Sequence, residues 1–371
     1  MSVDITPDDD LGEEHAHFRD AATQLLSQDP TMTSLTLATH TGVPHRVLVA
    51  LAHNRFVQTA HFEMTDFDDA RCKRLCALGR PTSLTSLHLT RNKITCAGLA
   101  ALSEFLTGSA LTSLNLSSNP LDGDLVPLGK AVSQSRLAVL NLNDTIRREG
   151  GRALVPFAEA LAGPGGGSNR LRALHLQKNG VADEVATDLA APLAAAGVQE
   201  LHLSTNRIGD AGGQALALAC SHATSGLRKL TLLSNAIGDA AAASFGTILA
   251  DNPLLEQLNL SHNRIGDQGV AALVRGVQDN TRLRMLDVGV NKLCSRQAKA
   301  ALEGAMAREA LIGRQHRAFC SAARLLLLAH LRDARGLEND PLCRLPEGVL
   351  ALILDMAKPE GFPAIADRAV A

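Results

Sequence analysis

Trp and Tyr are absent from this chain of 371 residues, and aromatic residues make up only 2% of it. Together with Arg, these two side chains are the most frequent energetic anchors of protein interfaces. Any surface that binds a protein partner must therefore rely on Arg, His and Phe. Their absence predicts binding of modest strength.

An excess of charge of either sign is also missing, because 36 Lys and Arg face 38 Asp and Glu, for a formal net charge of -2. This balance predicts no general attraction to nucleic acid or to an anionic membrane. No apolar run reaches the roughly 18 residues that one membrane-spanning helix needs. The N-terminal residues, MSVDITPDDDLGEEHAHF, are acidic and lack the apolar core of a signal peptide.

The seven cysteines have irregular spacing, which fits a reducing compartment and predicts a cytoplasmic protein. Cys72 and Cys76 lie on one predicted helix, but no second His or Cys pair follows at zinc-finger spacing. The segment 123–131, GDLVPLGKA, fails as a phosphate loop, because its glycines are too far apart and Ala131 replaces Ser or Thr. The motifs G-x-S-x-G and H-E-x-x-H are missing. We therefore predict no enzyme activity, no cofactor and no metal.

What the chain does contain is a repeated pattern, L-x-x-L-x-L. Its copies start at Met32, Val57, Leu84, Leu111, Leu137, Leu171, Val198, Leu227, Leu255 and Leu283. From Val57 onward the starts are separated by 27, 27, 26, 34, 27, 29, 28 and 28 residues. An Asn three residues after the last Leu recurs as Asn92, Asn119, Asn179, Asn206, Asn235, Asn263 and Asn291, and irregular copies have His40, Thr65 and Thr145 there.

The copy at 255–277 shows what one repeat should form. Alternating leucines predict a short strand, Asn263 turns the chain, and the apolar spacing after Gly269 predicts a helix. Such a unit cannot bury its apolar side alone, so copies must stack. We expect the asparagines, in particular Asn206, Asn235 and Asn263, to be buried and hydrogen-bonded to the backbone of adjacent coils. Leu102, Leu189, Leu216, Phe245 and Leu273 should form one core column on the helices, and Cys220 belongs to a second with Leu106, Leu249 and Val277.

The full pattern, L-x-x-L-x-L-x-x-N-x-I-G-D-x-G-x-x-x-L, resembles the leucine-rich repeat of the ribonuclease-inhibitor class. The copies NRIGDAGGQAL at 206–216 and NRIGDQGVAAL at 263–273 also resemble repeats of NOD-like receptors and of Ran GTPase-activating protein. The resemblance implies an α/β solenoid shaped like a horseshoe, with a parallel sheet on the concave face and helices on the convex face. It covers about residues 32 to 306.

Three regions follow along the chain. Residues 1–31 are an acidic lead-in with a short cap helix from about Glu13 to Leu26, residues 32–306 hold about ten repeats, and residues 307–371 form a helical C-terminal cap with a disordered tail. The repeat that starts at Leu137 carries an insert, GPGGGSN at 163–169, with Arg147 and Arg148 at its strand-to-helix turn. This insert is either a tolerated loop or a contact loop for a partner.

The C-terminal region contains a second resemblance. Pro346 is suited to the first turn of a helix that carries Val349, Leu350, Ile353 and Leu354. The string L-P-x-x-V-L-x-x-I-L resembles the first helix of an F-box, which implies docking on the cullin-ligase adaptor Skp1. The alternative is a cap that covers the open core of the last coil.

Strand residues that lie between buried leucines should face the concave surface. The central column consists of His88, Asn115, Asn141, His175, His202, Thr231, Asn259 and Asp287, and Arg91, Lys178 and His262 flank it. His175 and His202 should lie on adjacent strands and could share a metal, but no third ligand is obvious beside them. We interpret them as solvent-facing.

These features predict a monomeric scaffold or adaptor without chemistry of its own, which binds a protein through the concave face. Two alternatives stay open. The chain could be the substrate receptor of a cullin-type ubiquitin ligase, with Skp1 docked on the F-box-like helix. It could also be a GTPase-activating protein that resembles the Ran activator, although the acidic tail of several such activators is missing.

Overall fold

The computed structural model describes residues 16–38, 42–79, 83–146, 149–163, 170–221, 225–278, 280–291 and 295–307. The chain divides into two units, Met1–Glu303 and Gly304–Ala371, and 304–307 are the described part of the second. The acidic lead-in, His40, Arg147, Arg148 and nearly all of the insert lie outside the described residues, as does the F-box-like segment. Among the described helices none is long and apolar enough to cross a membrane.

Every copy of L-x-x-L-x-L forms a strand, because its alternating leucines bury one face. The strands are β1 Ser34–Ala38, β2 Thr59–Glu63, β3 Ser86–His88, β4 Ser113–Asn115, β5 Val139–Asn141, β6 Ala173–His175, β7 Glu200–His202, β8 Lys229–Thr231, β9 Gln257–Asn259 and β10 Met285–Asp287. All ten form one parallel sheet in chain order. The predicted α/β solenoid, with one parallel strand per repeat, is confirmed.

A helix follows each of the strands β1–β10 in the described chain, and one further helix precedes β1. The helices are α1 Ala16–Leu26, α2 His45–His53, α3 Asp69–Ala77, α4 Cys96–Leu106, α5 Val126–Gln134, α6 Leu154–Ala162, α7 Asp183–Ala195, α8 Asp210–Ser221, α9 Asp239–Asp251, α10 Asp267–Val277 and α11, residues 296–307. The predicted column from Leu102 to Leu273 is at most 2% exposed, and Cys220 is buried as expected. Gly276 lets α10 approach α9, because a Cβ there would overlap the carbonyl oxygen of Gly246.

The asparagines after the strands link each coil to the one before it. Asn119 Nδ2 donates to the Leu89 carbonyl oxygen at 2.7 Å, and its Oδ1 accepts from the Ile94 N–H at 3.1 Å. The predicted bonds of Asn206, Asn235 and Asn263 are confirmed. The expectation that all three are buried is wrong for Asn206 and Asn235, which are half-buried.

Thr65 and Thr145 occupy the Asn position of two irregular coils and are fully buried. The Asn of the following coil bonds their backbone as it does in the regular coils: Asn179 Oδ1 accepts from the Thr145 N–H at 2.9 Å, and Asn206 Oδ1 accepts from the Asn179 N–H at 3.0 Å. The hydroxyl of Thr145 donates to the Leu142 carbonyl oxygen at 2.7 Å, within its own coil. A Thr therefore keeps the turn closed but adds no side-chain bond to the preceding coil.

The Asp of the I-G-D segment, which reads V-A-D at 181–183, caps the helix of the next coil. Asp183 Oδ1 accepts from the N–H groups of Gly209 at 2.6 Å and Gly212 at 3.0 Å, at the start of α8. Asp210 and Asp239 make the same contacts with the starts of α9 and α10. A carboxylate at a helix N-terminus satisfies free N–H groups and complements the helix dipole. A Cβ at Gly212 would lie 2.9 Å from Asp183 Oδ1, so this coil favours Gly there, although Ala241 occupies the equivalent position at the start of α9.

Candidate protein-binding face

The predicted central column is continuous in the structure. Residues of successive strands pair directly from His88 through Asn115, Asn141, His175, His202, Thr231 and Asn259 to Asp287. Each of them is the last residue of its strand, between two buried apolar residues, except that Leu286 before Asp287 is only half-buried. The sheet thus brings together in one row the seven predicted candidates that lie on strands.

His61 extends this row on β2, where it pairs with His88. The sequence-based column began one strand later, because Ala60 replaces the Leu that marks the other copies. The rings of His61 and His88 stack with their centroids 4.2 Å apart and an interplanar angle of 20°. His61 occupies the position between two inward-facing residues, and that spacing was the signal that could have identified it.

A second histidine pair lies on β6 and β7. The rings of His175 and His202 stack with their centroids 4.3 Å apart at an angle of 1°. The interpretation of both as solvent-facing is wrong for His202, which is only 9% exposed. The stacked ring covers one of its faces, and Thr231 Oγ1 lies 2.9 Å from its Nδ1.

The surroundings of this second pair keep it uncharged near neutral pH. Burial lowers the pKa of His202 to about 4, and repulsion by His175 and Lys229 acts in the same direction, with Glu200 opposing. Burial also lowers the pKa of His175. Since a protonated imidazole would have to lose water here, the neutral ring is favoured.

Within the described residues no three His, Cys, Asp or Glu side chains are grouped so that they could hold a metal ion. Glu200 is the carboxylate beside the second pair, with Oε2 3.7 Å from His202 Nε2. Cys72 is buried, and burial raises the pKa of its thiol, which disfavours the thiolate that a metal requires.

The three flanking candidates lie on the strand-to-helix turns and not on the strands. Arg91, Lys178 and His262 are exposed, with φ values of 54°, 57° and 55° in the left-handed region. Equivalent turn residues of the other regular coils adopt the same conformation, so the repeat geometry imposes it. Arg91 Nη1 lies 3.5 Å from Glu63 Oε1, a contact between adjacent coils.

A third row lies at the opposite end of the strands. One residue lies just before each strand. In β2–β10 this residue donates its N–H to the carbonyl oxygen of the equivalent residue one coil earlier, at 2.7 to 2.9 Å, and Thr33, before β1, is the first acceptor. We call this row the strand-start column. Its members are Thr33, Gln58, Thr85, Thr112, Ala138, Arg172, Gln199, Arg228, Glu256 and Arg284. None of them belonged to the predicted site, because they precede the alternating part of the motif.

Comparison with known families supports this description of the repeats. The family model described as Leucine Rich repeat matches residues 80–103, 198–217 and 251–274. Each matched segment contains one strand and the first part of the helix that follows it. The chain folds as a leucine-rich repeat solenoid. Solenoids of this kind are in general non-catalytic scaffolds that bind proteins over their extended strand-lined faces.

Several solved structures are similar to this chain at low sequence identity. An internalin from Listeria monocytogenes str. 4b F2365 is 20% identical, with a TM-score of 0.45, over 78% of this chain and 77% of that one. TLR13, from a TLR13–ssRNA13 complex, is 19% identical, with a TM-score of 0.47, over 74% of this chain and 34% of that one. Actin-binding site 2 of leiomodin-1 is 18% identical, with a TM-score of 0.34, over 56% and 95%. No curated protein sequence matches the leucine-rich repeat chain.

Proposed function

We propose that this leucine-rich repeat solenoid is a scaffold or adaptor that binds a protein partner through the strand-lined face and has no catalysis of its own. The central column carries the proposal, because it presents a continuous row of hydrogen-bonding side chains across eight strands, all of them partly exposed except His202. The proposed contact residues are His88, Arg91, Asn115, Asn141, His175, Lys178, His202, Asn259, His262 and Asp287.

The composition of this face limits its affinity. Without Trp or Tyr, hot spots must come from Arg and His, and the remaining polar contacts contribute mainly complementarity. Partner binding of modest strength follows, with its specificity set by the order of Asn, His, Thr and Asp along the row.

The test compares how substitutions on the strand-lined face and on the helices of the full chain change the affinity for the partner. The partner is first identified by crosslinking in the native cell, and its affinity is then measured by calorimetry. Asn115→Ala with Asn141→Ala should weaken binding about ten-fold. The matched control, Lys130→Ala with Gln214→Ala, changes exposed residues on α5 and α8 and should have no effect. Dominant losses from the helix variant would assign binding to the other face.

The ligase-receptor alternative depends on residues 345–354, which lie outside the described residues. It is supported by the F-box-like spacing of Val349, Leu350, Ile353 and Leu354. Leu350→Asp with Ile353→Asp separates it from a cap. If the helix docks Skp1, capture of Skp1 disappears while the melting temperature stays the same. If the helix is a cap, stability falls by several kcal/mol, because two charges enter a core.

We also propose a repeat class, bounds for the solenoid, a cellular location and an oligomeric state. The period of 27 to 29 residues in most regular copies supports the ribonuclease-inhibitor class, with the solenoid at 32–306 between a lead-in at 1–31 and a helical region at 307–371. We expect a cytoplasmic monomer, to be checked by cell fractionation and light scattering. Single-turnover GTP hydrolysis with candidate GTPases tests the activator alternative, which would require a faster rate in the presence of this chain.

A further inference from the structure

The strand-start column changes character halfway along the sheet. From Thr33 to Ala138 it contains no charged side chain, whereas from Arg172 to Arg284 it contains three arginines and one glutamate. Because backbone hydrogen bonds join its members in order, this change is a spatial one, and the charges occupy neighbouring strands about 4.8 Å apart.

Further basic residues lie beside the charged half of the column and beside Ala138, the last neutral member. Arg136, Arg170 and Arg282 directly precede the first Leu of their motifs, and Lys229 directly follows Arg228. We call the whole group the arginine edge; its members are Arg136, Arg170, Arg172, Arg228, Lys229, Arg282 and Arg284. Seven basic side chains face two acidic ones here, Glu200 and Glu256, in a chain with a net charge of -2. The positive charge is therefore local.

The two glutamates neutralise only part of this edge. Glu256 pairs with Arg228 at 3.1 Å and with Arg284 at 3.5 Å, and Glu200 pairs with Lys229 at 3.6 Å. The other four basic residues are exposed and form no ion pair with any residue that the structure describes: Arg136, Arg170, Arg172 and Arg282. A free guanidinium presents a planar fork of donors that suits a carboxylate.

We propose that the arginine edge binds an acidic, extended segment of the protein partner. This inference depends on the proposed function and names the chemistry of the partner. Arg172 and Arg228 are two strands apart, about 10 Å, which is close to the spacing of every third residue in an extended peptide. Acidic residues at that interval would reach successive arginines and place neutral residues opposite Glu200 and Glu256.

A nucleic acid fits the same edge less well. Its backbone charge is uniform, so phosphates would have to pass the carboxylates of Glu200 and Glu256. Single-stranded nucleic acid is also held by stacking of bases on aromatic side chains, and the chain has no Trp or Tyr. A peptide meets neither difficulty.

The test uses a fluorescent peptide of four Glu-Ser-Thr units, a Gln-Ser-Thr counterpart and a thymidine 12-mer, measured by anisotropy with the full chain. The variant replaces three unpaired arginines: Arg170→Gln, Arg172→Gln and Arg282→Gln. The matched control removes the same charge from exposed helix positions: Arg74→Gln, Lys130→Gln and Arg275→Gln.

We expect the wild-type chain to bind the Glu peptide more tightly than the Gln peptide. The edge variant should bind the Glu peptide about ten-fold more weakly than the wild type, and the control variant should bind it with nearly wild-type affinity. Equal losses in both variants, or no preference for the Glu peptide, would overturn the proposal. Thymidine binding through the same arginines, as tight as that of the Glu peptide, would instead make the edge a nucleic-acid surface.

Binding of the identified partner to the two sets of variants distinguishes failure of the acidic-segment proposal from failure of the proposed function. If the edge variant binds the partner normally while Asn115→Ala with Asn141→Ala loses it, the acidic-segment proposal fails and the scaffold function stands. If both variants bind the partner normally, the assignment of binding to this face fails as well. Loss of the partner and of the Glu peptide by the edge variant supports both.

Discussion

The first five strands and the last five form the same sheet with different side chains. In β6–β10 the Asn position is filled without interruption from Asn179 to Asn291, and the strand-start column is charged. In β1–β5 Thr interrupts the Asn series at Thr65 and Thr145, and the column is neutral. Each half has one stacked histidine pair. Buried positions and backbone bonds therefore fix the coil, while outward-facing positions can differ freely between the two halves.

The largest effect should come from breaking the Asn series in the regular half. Asn263 Nδ2 donates to Leu232, Leu260 and Ser261 carbonyl oxygens, and its Oδ1 accepts from the Ile237 N–H. Replacement by Leu leaves the Ile237 N–H without its partner, whereas the Leu232 and Leu260 carbonyl oxygens keep one donor each, from Asn235 and Asn291. Asn263→Leu should therefore lower the free energy of unfolding by roughly 3 kcal/mol.

The irregular half supplies the control for this substitution. Thr145→Val removes one hydroxyl bond, to the Leu142 carbonyl oxygen, and should cost only about 1 kcal/mol. Urea denaturation followed by circular dichroism measures both variants. Equal losses would mean that the two kinds of coil are held together equally, and the distinction between the halves would have to be dropped.

The sequence was sufficient for the repeats because their signal is local. Alternating leucines such as Leu258 and Leu260 mark a strand, and the spacing from Gly269 to Val277 marks a helix. Register between coils followed as well, since each repeat has the same length between its buried positions. The start of every strand and the parallel order could therefore be predicted from residues alone.

The features that the sequence did not predict depend on contacts between coils. Asp183 caps a helix that starts 27 residues later, so nothing in its own repeat reveals the role. The burial of His202 results from stacking on His175 and from Thr231, both in other coils. The arginine edge was missed because its members lie before the alternating segment and become neighbours only when coils stack.

The two histidine pairs should contribute differently to the pH dependence of the free energy of unfolding, which is a smaller effect. The pKa of His202 lies below that of the unfolded chain, so between pH 6.5 and about 4 the unfolded state binds more protons. The free energy of unfolding therefore falls as the pH drops through this range, by about 2 kcal/mol from this residue. His202→Gln should flatten that dependence.

His88 in the other pair provides the comparison. Burial lowers its pKa too, and its Nε2 lies 2.9 Å from Ser86 Oγ in the same strand. His88→Gln should flatten the pH dependence of the free energy of unfolding less than His202→Gln does, because His61 and His88 are both only half-buried, whereas His202 is buried. Denaturation at pH 7, 5.5 and 4.5 measures both slopes. A wild-type stability that does not change over this range would contradict the neutral, stacked description of His175 and His202.

The smallest effect concerns the charged half of the strand-start column. Glu256→Gln removes the carboxylate between Arg228 and Arg284, both exposed, so the free energy of unfolding should change by less than about 1 kcal/mol. The released guanidiniums should raise the affinity for the Glu-Ser-Thr peptide about two-fold. Thr112→Ala, in the neutral half, should change neither quantity. If Glu256→Gln weakens peptide binding instead, Glu256 holds the two arginines in the geometry that the peptide needs. Neutralisation of the arginines by Glu256 would then not be what limits the affinity for the peptide.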